Sequence, residues 1–202
     1  ELVIEYHFPE KLKKEDYVSP ADVVGVTTAF FGGSIDLDPA SSEHANELVQ
    51  AQRFFTPTED GLSQSWKAKN VYLYPPRDII PYNQQPVDYS LFRRRKRFPK
   101  SAQRVWLEET YRRYTKNEFN EAIVFLTSAE VALRVTQLLD IDLPICIMKE
   151  HPRLSKDKAS LPALRSTRCL GFILYFPCST NTHERITQFH QSYSLLGRCY
   201  CC

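Results

Sequence analysis

Two short runs put hydrogen-bonding groups at the point where an apolar segment stops. Ile35-Asp36-Leu37-Asp38-Pro39-Ala40 ends in acid, proline and a small residue, and Val71-Tyr72-Leu73-Tyr74-Pro75-Pro76-Arg77 ends in a double proline. Each reads as a strand that halts abruptly with polar groups at its carboxyl end, where open α/β sheets bind ligands. A carboxylate at such an end can accept hydrogen bonds from a sugar diol or approach an amine. Asp36 or Asp38 can fill that role; strand phase decides which, and Asp38 is the expected one. On its own, Asp36 to Pro39 also suits a plain strand-end turn with a local side-chain hydrogen bond, because Asp and Pro are common there. Asp60-Gly61 marks a further turn that carries a carboxylate.

Arg93-Arg94-Arg95-Lys96-Arg97 is a run of cations flanked by Phe92 and Phe98. Such a run can track phosphates, each neutralised phosphate making binding more salt-sensitive, and the flanking rings can stack on bases. A solvated or partner-facing loop uses the same charges. DNA, RNA and an acidic protein partner in an assembly therefore all remain open as partners. His7, His44, His151, His183 and His190 show no metal-ligand spacing and read as surface or core residues. Cys146, Cys169 and Cys178 sit in apolar, strand-like surroundings and read as reduced core residues. Cys199, Cys201 and Cys202 lack the second pair that a zinc site needs, so no metal is expected.

The elements that must position these groups alternate. Residues 20–31 form a helix, with Ser19 as its cap, Pro20 at its first position and Gly32-Gly33 at its end. A strand at 35–37, a helix at 41–50 and a strand at 71–74 follow. Residues 77–100 show no periodicity and form a long basic loop after the second motif. A helix over 102–116, with Trp106, Thr110 and Tyr114 on one stripe, precedes a buried strand at 122–126. Ser128 caps a helix carrying Val131, Val135 and Leu138; strands at 143–148 and 170–176 and a helix at 182–195 complete the chain. That order argues a three-layer α/β fold with a mostly parallel central sheet, in one domain.

Composition agrees with this. The chain has 202 residues, 43% of them apolar, which is enough for one sizeable core. Thirteen prolines against six glycines indicate rigid, irregular connections. A net charge of +2 is too small by itself to argue for nucleic acid. No apolar run approaches the roughly 20 residues that span a bilayer. Glu1-Leu2-Val3-Ile4 carries neither an initiator Met nor a signal-peptide pattern, which suits an excised or processed piece. With the reduced-looking cysteines this favours an intracellular setting.

Taken together, residues 17–197 resemble the phage-type DNA N6-adenine methyltransferase family, Dam-like and dependent on S-adenosylmethionine. The family's opening Thr-Pro stands here as Ser19-Pro20, and its Asp-Leu-Asp-Pro-Ala is intact at Asp36 to Ala40. Asn46, Asp60-Gly61-Leu62, Trp66, Trp106, Glu121 to Leu126, Ile145-Cys146-Ile147 and Tyr175-Phe176 match later segments. The resemblance implies a Rossmann-like methyltransferase fold, in which the basic loop at 77–100 is an insertion after the catalytic-motif position. It also implies an S-adenosylmethionine site built from Ser19, Pro20, Asp36, Asp38, Pro39, Ala40 and Asp60, with Asp60 accepting from the adenine amine.

The catalytic motif of the family is Asn-Pro-Pro-Tyr, and this chain has Tyr74-Pro75-Pro76-Arg77 instead. In the family, a short side-chain oxygen and a proline carbonyl accept from the target amine, and the final aromatic stacks on a flipped base. A Tyr74 hydroxyl lies at the end of a long rigid ring and does not put an acceptor where a short amide would. Arg77 can still lie flat against a base, but it brings charge close to a sulfonium donor. The sequence thus argues a methyltransferase-like protein with impaired or lost catalysis. A non-catalytic nucleic-acid-binding or assembly subunit is one alternative, and a methyltransferase acting on RNA or protein is another.

Overall fold

Strand alternation sorts the core into two layers. The computed structural model describes residues 18–77, 79–80, 100–152 and 170–200. The basic run at 93–97, Cys201 and Cys202 lie outside the described residues. So does most of the expected 77–100 insertion, apart from its ends.

Among the described residues the main sheet has seven strands: β1 (Leu37–Asp38), β2 (Arg53–Phe54), β3 (Ala68–Leu73), β6 (Phe119–Leu126), β7 (Ile145–Met148), β8 (Phe172–Phe176) and β9 (Gly197–Tyr200). Their spatial order is β2-β1-β3-β6-β8-β7-β9. The pairs β2–β1, β1–β3 and β3–β6 are parallel, whereas β8 is antiparallel to both β6 and β7, and β9 to β7. β2, β1, β3, β6 and β7 therefore run one way, and β8 and β9 run against them. A separate antiparallel pair joins β4 (Ile79–Ile80) to β5 (Lys100–Ser101). The short β2, and β9 at the sheet edge, were not foreseen from the sequence.

Helices cover both faces. On one face, α3 (Ala102–Thr115) and a wide helical turn, Glu130–Val135, that continues into α4 (Thr136–Leu139) pack on Val71, Leu73, Ala122, Val124 and Leu126. On the other, α1 (Ala21–Phe30) and α5 (Thr182–Tyr193), with Val49 at the end of α2 (Glu43–Val49), pack on Tyr72, Tyr74, Ile123, Phe125 and Tyr175. The side chains alternate residue by residue between these cores, as the pleat requires. Full burial of side chains such as Phe125 and Phe189 stabilises by about 1.5–3 kcal/mol each.

α1 ends at left-handed glycines, Gly32 with φ +83° and Gly33 with φ +107°. The Gly33 N–H bonds the Thr28 carbonyl at 2.8 Å, which terminates the helix before β1. One expectation fails at the other end. Pro20, not Ser19, occupies the cap, and no side chain caps the helix. α2 does have a side-chain cap, with the Ser42 hydroxyl accepting from Ala45 N–H at 3.0 Å. Asn46 seals the far end of α2 by exchanging two hydrogen bonds with the Ala51 backbone. α1 and α5 are stitched by a buried 2.8 Å hydrogen bond between Thr27 and Tyr193. Arg185 adds a clamp: it pairs with Glu121 at 2.7 Å and lies 4.1 Å from the centre of the Phe30 ring.

Candidate active site

β1 touches β2 on one side and β3 on the other, and the chain leaves β1 for β2 before returning to β3. The carboxyl ends of β1 and β3 therefore flank the switch point of the sheet, the usual crevice of open α/β folds. Both motifs end there.

Asp38 is the last residue of β1 and is 3% exposed. Its carboxylate accepts from Ala40 N–H at 3.2 Å. Burial pushes its pKa up to about 7, against the pull of the Ala40 N–H and the neighbouring Ser41 hydroxyl. A buried carboxylate with so few donors keeps open acceptor capacity.

Tyr72 lies beside it on β3. Its hydroxyl is buried and has no hydrogen-bond partner among the described residues. Burial holds the phenol pKa well above its ordinary value; the adjacent Ser19 hydroxyl lowers it, though not in hydrogen-bond geometry, and the Asp38 charge raises it. Ser19, Asp38 and Tyr72 thus form one buried polar group, delivered by the start of α1 and by two adjacent strands. Tyr72 was missed in the sequence motif. The signal was available: in Val71-Tyr72-Leu73-Tyr74 it shares a face with Tyr74 by period two.

Asp36 does a different job. Its carboxylate accepts from Lys69 N–H at 2.9 Å, and its own N–H donates to the Asn70 side chain at 2.8 Å. These bonds tie the entry of β1 to β3, at the end of the strand away from the crevice. The residue expected as a cofactor ligand is thereby used in fixing strand position.

Asp60 is brought to the site by a close backbone approach. It has a left-handed φ of +52°, and the next residue, Gly61, lies against the carbonyl of Pro39. A Cβ on Gly61 would fall 1.9 Å from that oxygen. The Gly61 carbonyl accepts from Trp66 Nε1 at 2.8 Å, and Trp66 stacks on Trp106 with ring centres 5.9 Å apart. Arg113 secures the same loop. It is buried, donates to the Leu62 and Gln64 carbonyls at 2.8 and 2.7 Å, and lies 4.7 Å over Trp66. Asp38, Pro39, Ala40, Asp60 and Gly61 are accordingly one assembly, although the 19 residues 41–59 separate its two halves.

The second motif is split by burial. Tyr74 and Pro75 are buried, whereas Pro76 and Arg77 are exposed. The Tyr74 ring is 7% exposed and packs against Phe125 at 5.0 Å, within the α1–α5 core. Two surface concavities are lined by other residues, and neither includes Asp38. One, of about 440 Å³, lies between α1 and α2 beside Gly25 and Ile35, and the other, of about 530 Å³, lies at the end of β2 beside Arg53 and Glu59. Among the described residues no cluster of three or more His, Cys, Asp or Glu could hold a metal, and no helix is long and apolar enough to cross a membrane.

No protein-family model and no curated protein matches the chain. A solved structure does match: a candidate class I S-adenosylmethionine-dependent methyltransferase from Listeria monocytogenes, with TM-score 0.50 and 12% identity, over 87% of this chain and 64% of that one. The chain therefore spans less than two thirds of that protein's length. At this identity the likeness establishes a shared fold, the Rossmann-like fold of class I methyltransferases.

Proposed function

We propose that this chain is a DNA N6-adenine methyltransferase-like protein that keeps the cofactor end of its site and has impaired or lost transfer at the acceptor end. The observation that carries the proposal is the Tyr74 ring, buried against Phe125 where the family motif has a short polar side chain.

The polar groups at the switch point fit S-adenosylmethionine. The open acceptor capacity of Asp38 and the orphaned Tyr72 hydroxyl suit an amine and a pair of hydroxyls. Asp38, Ser19, Pro20, Pro39 and Ala40 would hold the group, with Asp60 on its adenine. When bound, the group supplies an electrophilic methyl on a sulfonium centre.

The chain's own contribution at the acceptor is a carbonyl from the Pro75-Pro76 pair and, from Tyr74, no short amide. A well-placed polar contact of this kind is worth about 10²–10³ in rate, by analogy with oxyanion-hole deletions. Arg77, exposed at the rim, replaces the stacking aromatic with a cation. The basic run Arg93 to Arg97 is assigned to nucleic-acid phosphates, which keeps a binding role available after turnover is lost.

The test is transfer of labelled methyl from S-adenosylmethionine to adenine-containing DNA. Wild type is expected at or near background, and Tyr74→Asn with Arg77→Tyr is expected to raise transfer at least tenfold. Wild-type turnover at ordinary enzymatic rates, lost on Asp38→Ala, would overturn the proposed loss of activity.

A further inference from the structure

The strands β7 and β9 place two free cysteines directly opposite each other. Cys146 pairs with Cys199 in the antiparallel register. Lys149 N–H donates to the Leu196 carbonyl at 3.0 Å, which marks that pair as hydrogen-bonded. Alternation along the ladder then makes Ile147–Arg198 hydrogen-bonded and Cys146–Cys199 non-hydrogen-bonded. Cα atoms of such a pair stand about 4.5 Å apart, inside the range of about 4.4–6.8 Å that a disulfide spans.

Both side chains point to the α5 face. The Cys146 thiol is buried and reaches the Tyr193 carbonyl at 3.5 Å, while Cys199 is half-buried. Gly197 keeps the neighbouring position clear, since a Cβ there would stand 2.8 Å from Cys146 Sγ. The two thiols differ in kind. The Cys146 thiol and the Lys149 ammonium draw the pKa of Cys199 down, against the opposing effect of burial. The same sulfur–sulfur contact and burial push Cys146 up. The more reachable sulfur is thus the better thiolate, which is the order a reactive cysteine and its resolving partner require.

We propose that Cys146 and Cys199 form a redox-active dithiol, a modification site that a hydroperoxide closes to a disulfide between β7 and β9. The Cys199 thiolate attacks one peroxide oxygen, the O–O bond breaks, and Cys199 becomes a sulfenic acid as the other oxygen leaves and takes up a proton. Cys146 then attacks the Cys199 sulfur. The S–O bond breaks, the S–S bond forms, and the oxygen departs as water with the Cys146 proton. Two thiols are oxidised and one hydroperoxide is reduced to an alcohol and water, or to two waters for hydrogen peroxide. The product links the C-terminal strand covalently to the sheet and withdraws the Cys146 thiol from the Tyr193 carbonyl.

The test treats the reduced full chain with hydrogen peroxide and maps its peptides without reduction. A Cys146–Cys199 link that dithiothreitol reverses, with loss of two titratable thiols, is the expected result. In Cys146→Ser, Cys199 should instead be trapped by dimedone as the sulfenic acid. Should that buried substitution prevent folding, Cys199→Ser at the half-buried position decides: Cys146 must then stay unoxidised. Oxidation of Cys146 in that variant would overturn the proposal. So would a wild-type bridge confined to Cys169, Cys178, Cys201 or Cys202 with Cys146 left as a thiol.

Discussion

Replacing Asp38 by Asn should make the free protein more stable at neutral pH, and by an amount that depends on pH. The carboxyl has an ordinary pKa of 3.8 in the unfolded chain and about 7 in the folded one. The folded state therefore holds the proton more tightly, and the favourable contribution of this group is fully present below pH 3.8. It is lost as pH rises from there to about 7, and the loss is complete above that. The gap corresponds to about 4 kcal/mol. Of this, roughly 1–2 kcal/mol is already lost at pH 5, and roughly 2–3 kcal/mol more goes between pH 5 and pH 8. An asparagine keeps the shape, carries no charge and has no such dependence. Urea unfolding of wild type and Asp38→Asn, followed through the two tryptophans, measures the difference directly. The variant's advantage over wild type should grow by roughly 2–3 kcal/mol from pH 5 to pH 8. Parallel stability profiles across that interval would refute the reasoning, because they would mean the carboxylate is as well solvated folded as unfolded.

Two further outcomes follow from the loop that carries Asp60. Gly61→Ala drives a methyl into the Pro39 carbonyl, an obstacle that is backbone and cannot swing aside. We expect a loss at the upper end of about 1–3 kcal/mol, read from the urea midpoint, together with a changed Trp66–Trp106 fluorescence. Arg113→Met takes one of two arginine partners from the buried Glu109, which keeps Arg112, and removes the Arg113 donor from Glu118 and from the carbonyls of Leu62 and Gln64. Because Arg112 still pairs with Glu109, a loss of about 3 kcal/mol, the low end for breaking a buried pair, is expected in the same assay, and a loss under about 1 kcal/mol would mean that water replaces the guanidinium there.

The fold was legible because its signals are local and repeated. Helix caps, a double glycine after α1, a double proline after β3 and apolar strand cores all point the same way. What stayed hidden depends on contacts distant in sequence. Asp36 and Asp38 are the same residue type on the same face, and only the Lys69 and Asn70 partners separate a positional carboxylate from a crevice one. Ser19 before Pro20 reads as a cap, yet the proline takes the cap position and the serine turns to the Tyr72 hydroxyl. β2 is two residues long and β9 mixes Arg198 and Cys199 into four residues, so neither carries a readable period. The role of Gly61 was invisible for the same reason: a glycine in a turn looks ordinary until the Pro39 carbonyl occupies the space its side chain would need. The departure at Tyr74 was the opposite case. Residue chemistry alone flagged it, and the structure adds that the ring belongs to the core.

On the proposed reading, the switch point of this sheet recognises S-adenosylmethionine through Asp38, while Tyr74, its ring in the core, supplies no acceptor-side amide. Calorimetric titration of the folded chain with S-adenosylmethionine, beside Asp38→Ala, tests it most directly. Saturable binding to wild type that falls at least tenfold in the variant is the predicted result; no binding to folded wild type, or equal binding to both proteins, would contradict it.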